Sequence, residues 1–188
     1  MSSVVYFLAK HRECQERARG EVLNVLGENE DITAAQLSCM PFFNACIRET
    51  MRLNGPSVAT IPRLCDLPIR LGGHLIPPNV PITLNLYGIL HNDEIWTFPD
   101  EFRPDRWLSG DESLDIAWMP FGTGPRRCPA ANFSLYEQRT LLAMLLRKYE
   151  WTLPAGSPHQ KRLKNALSTF ALNLPDNLYI NFKKLAAL

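Results

Sequence analysis

FGTGPRRCPA, residues 121 to 130, sets one cysteine among two glycines, two prolines and two adjacent arginines. Pro129 follows Cys128 directly. Beyond it runs ANFSLYEQRTLLAMLLRKYEW, whose Leu141, Leu142, Leu145 and Leu146 are apolar over so wide an arc that the segment reads as a long, largely buried helix. A proline just ahead of a helix loses no needed N–H, so Cys128 falls at or next to the N-cap. Its sulfur then meets the positive end of a helix dipole and free backbone N–H groups, beside Arg126 and Arg127, the setting in which thiolates act.

A thiolate is a nucleophile or a metal ligand. The nucleophile reading wants a histidine base, and His11, His74, His91 and His159 carry no local signature of one. The plain alternatives are an inert buried cysteine and a phosphate loop. Gly122-x-Gly124 lacks both the third glycine of a dinucleotide loop and the GK[ST] of a P-loop, which argues against phosphate.

The whole chain sets the bounds. Its 188 residues, 46% hydrophobic and 10% aromatic, suit one globular domain with a substantial core. Lys plus Arg is 20 against 19 acidic residues, so a net charge of +1 gives no electrostatic reason to expect nucleic acid or an anionic membrane. Five widely spaced cysteines without a CxxC pair suggest neither structural zinc nor a disulfide framework, so a reducing, cytoplasmic setting is the default. The apolar patch Val4 to Ala9 is too short for a membrane span and makes no convincing signal peptide.

Val4, Leu8, Cys14, Ala18, Val22 and Val25 keep a helical period that predicts an amphipathic helix ending near Gly27. Thr33 to Leu53 reads as helical, with Thr33 and Gln36 as a capping box, Gly55-Pro56 as the stop, and Pro41 either kinking it or starting a second helix. From Gly55 to Pro104, eight of the 15 prolines break up short extended pieces. IRL and HLI flank Gly72-Gly73 as a hairpin, and VPITLNLY predicts a strand. ALSTFALN and LYINF around PDN predict a second hairpin. The fold class is α+β, mainly helical with small β hairpins.

Three motifs then stand in order: ETMR (Glu49 to Arg52), FRPDRW (Phe102 to Trp107) and FGTGPRRC. They resemble the ExxR, FxPxRF and FxxGxRxCxG signatures of the cytochrome P-450 family, the last matching at Phe121, Gly124, Arg126 and Cys128. The resemblance covers essentially the whole chain and implies the proximal, haem-side, carboxy-terminal part of that fold, with residues 1–188 as a partial domain whose amino-terminal half is absent. The opening SSVVYFLAKHRECQERARGEV resembles the end of the family's distal helix running into the next one. No acid–alcohol pair for proton delivery is found in these residues.

The resemblance implies Cys128 as axial ligand of haem iron, and the family is the standard case of haem held by cysteine thiolate. It also implies that Phe121 shields the sulfur, that Gly122 and Gly124 let the loop approach the porphyrin, and that Arg126 and Arg63 pair with haem propionates. Glu49 and Arg52, spaced i and i+3 on a helix, would join Arg106 in a buried structural network; as a surface pair they would contribute little. His91 has a plain structural reading. Ala130 departs from the family's glycine: a helical φ would tolerate the methyl, whereas contact with the porphyrin would weaken binding.

The implied function is haem-thiolate monooxygenation of an apolar organic substrate. Electrons come from NADPH through a flavoprotein reductase or an iron–sulfur donor, with Arg103 and Arg127 as candidate contacts. Substrate-facing positions by analogy are Val58 to Ile61 and Ser168 to Phe170. A full-length eukaryotic relative sits at the endoplasmic-reticulum membrane. The other readings are a non-catalytic haem-binding or interaction protein and a non-oxygenating haem-thiolate isomerase or dehydratase. Apolar faces that an absent half would cover predict aggregation or a partner.

Overall fold

The computed structural model describes residues 1–27, 31–167 and 172–186. The amino-terminal period yields two helices rather than one, α1 (Ser2–Lys10) and α2 (Arg12–Leu26). The break is at His11, where φ −113 and ψ 81 leave the helical region. It lets both apolar faces meet one core: Val4 and Leu8 from α1, and Ala18, Val22 and Leu26 from α2. Gly27, at φ 55, ends α2.

The Thr33 capping box forms in both directions and opens α3 (Ala34–Ser38). Pro41 starts a second helix, α4 (Pro41–Asn54), the position where proline is preorganised. Met40 gives α4 no side-chain cap. The Glu21 carboxylate of α2 does so instead, accepting from the N–H of Phe42 at 3.1 Å and of Phe43 at 2.8 Å. This satisfies two orphan donors and sets negative charge at the positive helix end. Phe42, Phe43, Cys46 and Ile47 thereby turn into the core.

Next, β1 (Ile69–Leu71) and β2 (His74–Ile76) pair antiparallel across Gly72 and Gly73, at φ 52 and 83. VPITLNLY does not form the expected strand. Ile82 and Asn85 make only isolated bridges, to Arg63 and Ala59, and the chain then enters α5 (Leu86–Leu90). Asn85 caps that helix by accepting from the Gly88 N–H at 2.9 Å, so a local cap overrides strand propensity.

A 3₁₀ turn at Pro104–Leu108, α6 (Glu112–Ala117) and a second 3₁₀ turn at Gly124–Arg126 lead to α7 (Ala131–Lys148). Leu142, Ala143 and Leu146 of α7 are fully buried, but Leu141 and Met144 are 44% and 45% exposed and Phe133 is 72% exposed. The expectation of a largely buried helix is therefore corrected: among the described residues α7 packs along one side, against α2, α3 and α4.

The tail also differs from its expected hairpin. β3 (Tyr149–Thr152) pairs with β6 (Asn181–Lys184), and β4 (Asn165–Leu167) pairs with β5 (Asn173–Pro175). LYINF goes to β3 because Phe182 meets Trp151 and Tyr149, with ring centroids 5.6 and 6.0 Å apart, and Lys183 pairs with Glu150 at 2.8 Å. The middle of ALSTFALN, including Ser168 to Phe170, lies outside the described residues. The result is an α+β fold: among the described residues, a helical body carries three two-stranded antiparallel sheets. Among the described residues, no helix is long and apolar enough to cross a membrane.

Candidate functional site

Cys128 does not stand at the helix N-cap. That position is Ala130, so the thiol lies two residues ahead of it and Pro129 lies outside the helix. Backbone bonds of the loop explain this. The Cys128 N–H donates to Phe121 O at 3.0 Å, the Arg127 N–H to Gly124 O at 3.0 Å, and the Ala131 N–H to Cys128 O at 3.3 Å. Cys128 and Arg126 are exposed, while Phe121 is half-buried against Trp118, ring edge to ring face at 6.3 Å.

Gly122 and Gly124 both sit at φ 72, with nothing within 4 Å of where a Cβ would be. Conformation, not crowding, calls for glycine there. Ala130 adopts φ −91 and ψ 11, open to any L-residue, so the methyl that departs from the family pattern incurs no left-handed strain.

Glu49, Arg52 and Arg106 converge. Glu49 and Arg52 are both fully buried. Glu49 Oε1 accepts from Arg52 Nη2 at 2.8 Å, Arg106 Nε at 3.1 Å and the Arg103 N–H at 3.1 Å. Its Oε2 accepts from Arg52 Nε at 3.1 Å and Trp107 Nε1 at 3.0 Å. Arg52 spends its remaining donors on the carbonyls of Leu90, Pro99 and Glu101, at 2.8, 2.7 and 3.2 Å. Every N–H of that guanidinium is thus used, which only arginine's planar five-donor fork permits. Arg106 reaches the carbonyls of Thr97 and Phe98. Burial holds its guanidinium below the usual range, opposed by Glu49. The cluster fastens α4 to the 90–106 stretch.

Sequence reasoning missed three members of this region. Trp107 lies inside the FRPDRW motif, and its indole N–H was the available signal. Arg103 acts through its backbone, while its guanidinium stacks over Phe98 at 4.8 Å. Arg48 stacks between Trp107 and Trp118, a placement that no local pattern announces.

Arg63 belongs to another element. Its N–H and C=O exchange 2.8 Å bonds with Ile82, and its side chain is exposed. Val58, Ala59 and Thr60 are half-buried, and Ile61 is 77% exposed. A cavity of about 290 Å³ opens between α1, α4, α7 and β5, lined by Met51, Asn54, Gln138, Leu141 and Leu174 among others, and not by Cys128. Asn54 organises its wall, donating to Ser3 Oγ at 2.9 Å and accepting from Asn165 at 2.7 Å and Asn173 at 3.0 Å.

The donor set decides which cofactor fits. Among the described residues no three His, Cys, Asp or Glu side chains gather as a metal site. Cys128 offers one exposed thiol, which suits a metal that brings its other ligands with it, as porphyrin iron does. Open space before both loop glycines and an exposed cation at Arg126 suit a flat, anionic-edged group. These residues fit haem.

The family model described as Cytochrome P450 matches residues 1–181. Cytochrome P450 4A24 of Sus scrofa is 32% identical over 186 residues, covering 98% of this chain and 36% of that protein. Taurochenodeoxycholic 6 alpha-hydroxylase of Sus scrofa is 31% identical over 186 residues with the same coverage. Cytochrome P450 4A10 of Mus musculus is 30% identical over 185 residues, 98% of this chain and 35% of its own length. The chain thus spans little more than a third of the relatives it matches. A zebrafish cytochrome P450 structure with abiraterone superposes with a TM-score of 0.85 at 22% identity, covering 98% of this chain and 42% of that one, a likeness of fold.

Proposed function

Because the chain belongs to the cytochrome P450 family, we propose that it forms the proximal side of a haem-thiolate monooxygenase site, as part of a larger domain, with Cys128 as the axial ligand of iron. The observation that carries this reading is an exposed Cys128 thiol in a loop closed on Phe121 at the head of α7. Bound haem supplies oxygen activation, and thiolate ligation favours O–O cleavage.

The chain's own residues hold and shield. Phe121 keeps water from the sulfur. Gly122 and Gly124 let backbone rather than side chains face the porphyrin plane. Arg126 pairs with one propionate, and Arg63, carried on a separate segment, is the second cation assigned to that role. Glu49, Arg52 and Arg106 take no part in chemistry; they fasten α4 to the 90–106 stretch. Electrons come from NADPH through a reductase or iron–sulfur donor that meets Arg103 and Arg127. The substrate is apolar and faces Val58 to Ile61. The name of the pig 6 alpha-hydroxylase supports oxygen insertion as the reaction class. A longer eukaryotic form belongs at the endoplasmic-reticulum membrane, as the resemblance implies.

Reconstitution with haem, followed by reduction and CO, tests the reading. A far red-shifted Soret band is expected from wild type and from Cys39→Ser, and its loss from Cys128→Ser. An unchanged spectrum in Cys128→Ser removes the ligand assignment.

A further inference from the structure

From Thr123 to Ala130 every residue of the cysteine loop is exposed, so the loop has little packing of its own. What fixes it lies at its ends. One end is α7, seated in the core through Leu142 and Leu146. The other is Phe121, whose carbonyl receives the Cys128 N–H and whose ring rests on Trp118.

Trp118 is itself keyed to α4. Its indole N–H donates to the Arg48 carbonyl at 3.1 Å, and the Arg48 guanidinium lies over its ring at 4.9 Å. The same guanidinium lies over Trp107 at 4.1 Å, and Trp107 donates to Glu49. Arg48 is therefore a flat cation wedged between two indoles, one bonded to the buried carboxylate and one bracing the loop. Its Nε is buried without a hydrogen-bond acceptor, so stacking and not a hydrogen-bonded fork sets its plane. Its Nη2 also donates to Asp115 at 2.5 Å; Arg48 is 27% exposed but Asp115 is 61% exposed, so solvent screens that pair from the carboxylate side.

We propose that Arg48 is a positioning residue that couples the Glu49 network to the Cys128 loop by stacking between Trp107 and Trp118. Its consequence for the thiolate rests on the monooxygenase reading; the coupling itself does not. A lysine keeps the charge but loses the planar face, so Arg48→Lys fails to substitute.

Hydrogen exchange of the 119–128 stretch in the full chain, with and without haem, tests this. Arg48→Met is expected to speed exchange there roughly 10-fold, Arg48→Lys nearly as much, and Asp115→Asn not at all, with α1 and α7 unaltered in all three. In the haem-loaded protein Arg48→Met and Arg48→Lys lower the fraction of CO adduct in its thiolate form. Wild-type exchange in Arg48→Met overturns the proposal, as does full rescue by lysine, equal loosening of α7, or an unaltered thiolate fraction in Arg48→Met. If wild type takes up no haem, the monooxygenase reading fails, and the exchange contrast in the haem-free chain still decides the role of Arg48.

Discussion

The backbone N–H of Cys128 donates to the carbonyl oxygen of Phe121 at 3.0 Å. That bond folds the intervening residues back on themselves and aims the thiol outward, ahead of α7 rather than within its first turn. The sulfur's position is thus set by loop backbone, and the loop's shape depends on two glycines in a region that L-residues avoid.

Gly122→Ala and Gly124→Ala each put a side chain at φ 72, where the space is open but the backbone is strained. Each is expected to cost about 1 kcal/mol, read as a lowered urea midpoint with an unchanged slope. Asparagine tolerates left-handed backbone better and should recover part of the loss. Equal stability of the alanine variants and wild type would show that the loop reaches its shape without positive φ.

Glu49 and Arg52 predict a larger effect. Glu49→Gln leaves two guanidiniums facing a neutral amide, and breaking a buried pair costs about 3–5 kcal/mol. Arg52→Lys reduces five donors to three and strands buried carbonyls among Leu90, Pro99 and Glu101, at about 1–3 kcal/mol for each orphaned group. Denaturant unfolding of the two variants checks both, and Arg52→Lys should behave more like a deletion than a conservative change.

His91 brings a pH dependence. Half-buried and stacked on Tyr87 with ring centroids 4.0 Å apart, it is held below the usual imidazole range chiefly by burial, with Arg52 adding to the effect and the Tyr87 carbonyl and Asp100 opposing it. Burial lowers His11 likewise. The unfolded chain therefore takes up protons near pH 6.5, before the folded chain does. Stability is fully present above that pH and is lost as pH falls toward the folded values. Urea midpoints at pH 7.5 and 5.5 should drop for wild type and drop less for His91→Gln.

The parts legible in the sequence were those fixed by local chemistry. The Thr33–Gln36 capping box and the Gly72-Gly73 turn need only their own residues, and both formed. Where distant partners decide, the pattern misled. LYINF found Trp151 rather than ALSTFALN, and the apolar arc of α7 stayed half bare. The Glu49 cluster was half visible: two of its members share a helix turn, but Trp107 and the Arg103 N–H arrive from more than fifty residues away. Arg48 between its indoles had no signature at all, since stacking partners carry no fixed spacing.

The thiols give a last prediction, separable from haem. Cys39 and Cys128 are exposed, whereas Cys46 is buried and Cys14 is half-buried. Burial pushes the Cys14 thiol up to about 11, with Glu13 and Asp105 adding to it against Arg17, and burial likewise raises Cys46 well above its ordinary value. At pH 8 roughly one Cys14 in a thousand is thiolate, and only the thiolate alkylates. Mass-mapped alkylation of the haem-free chain should therefore label Cys39 and Cys128 first and leave Cys14 and Cys46 until unfolding. Loading with haem should withdraw Cys128 alone from the fast class while Cys39 keeps its rate. Should Cys128 stay as reactive as Cys39 in haem-loaded protein, the iron is held elsewhere, and the loop closed on Phe121 serves some other end.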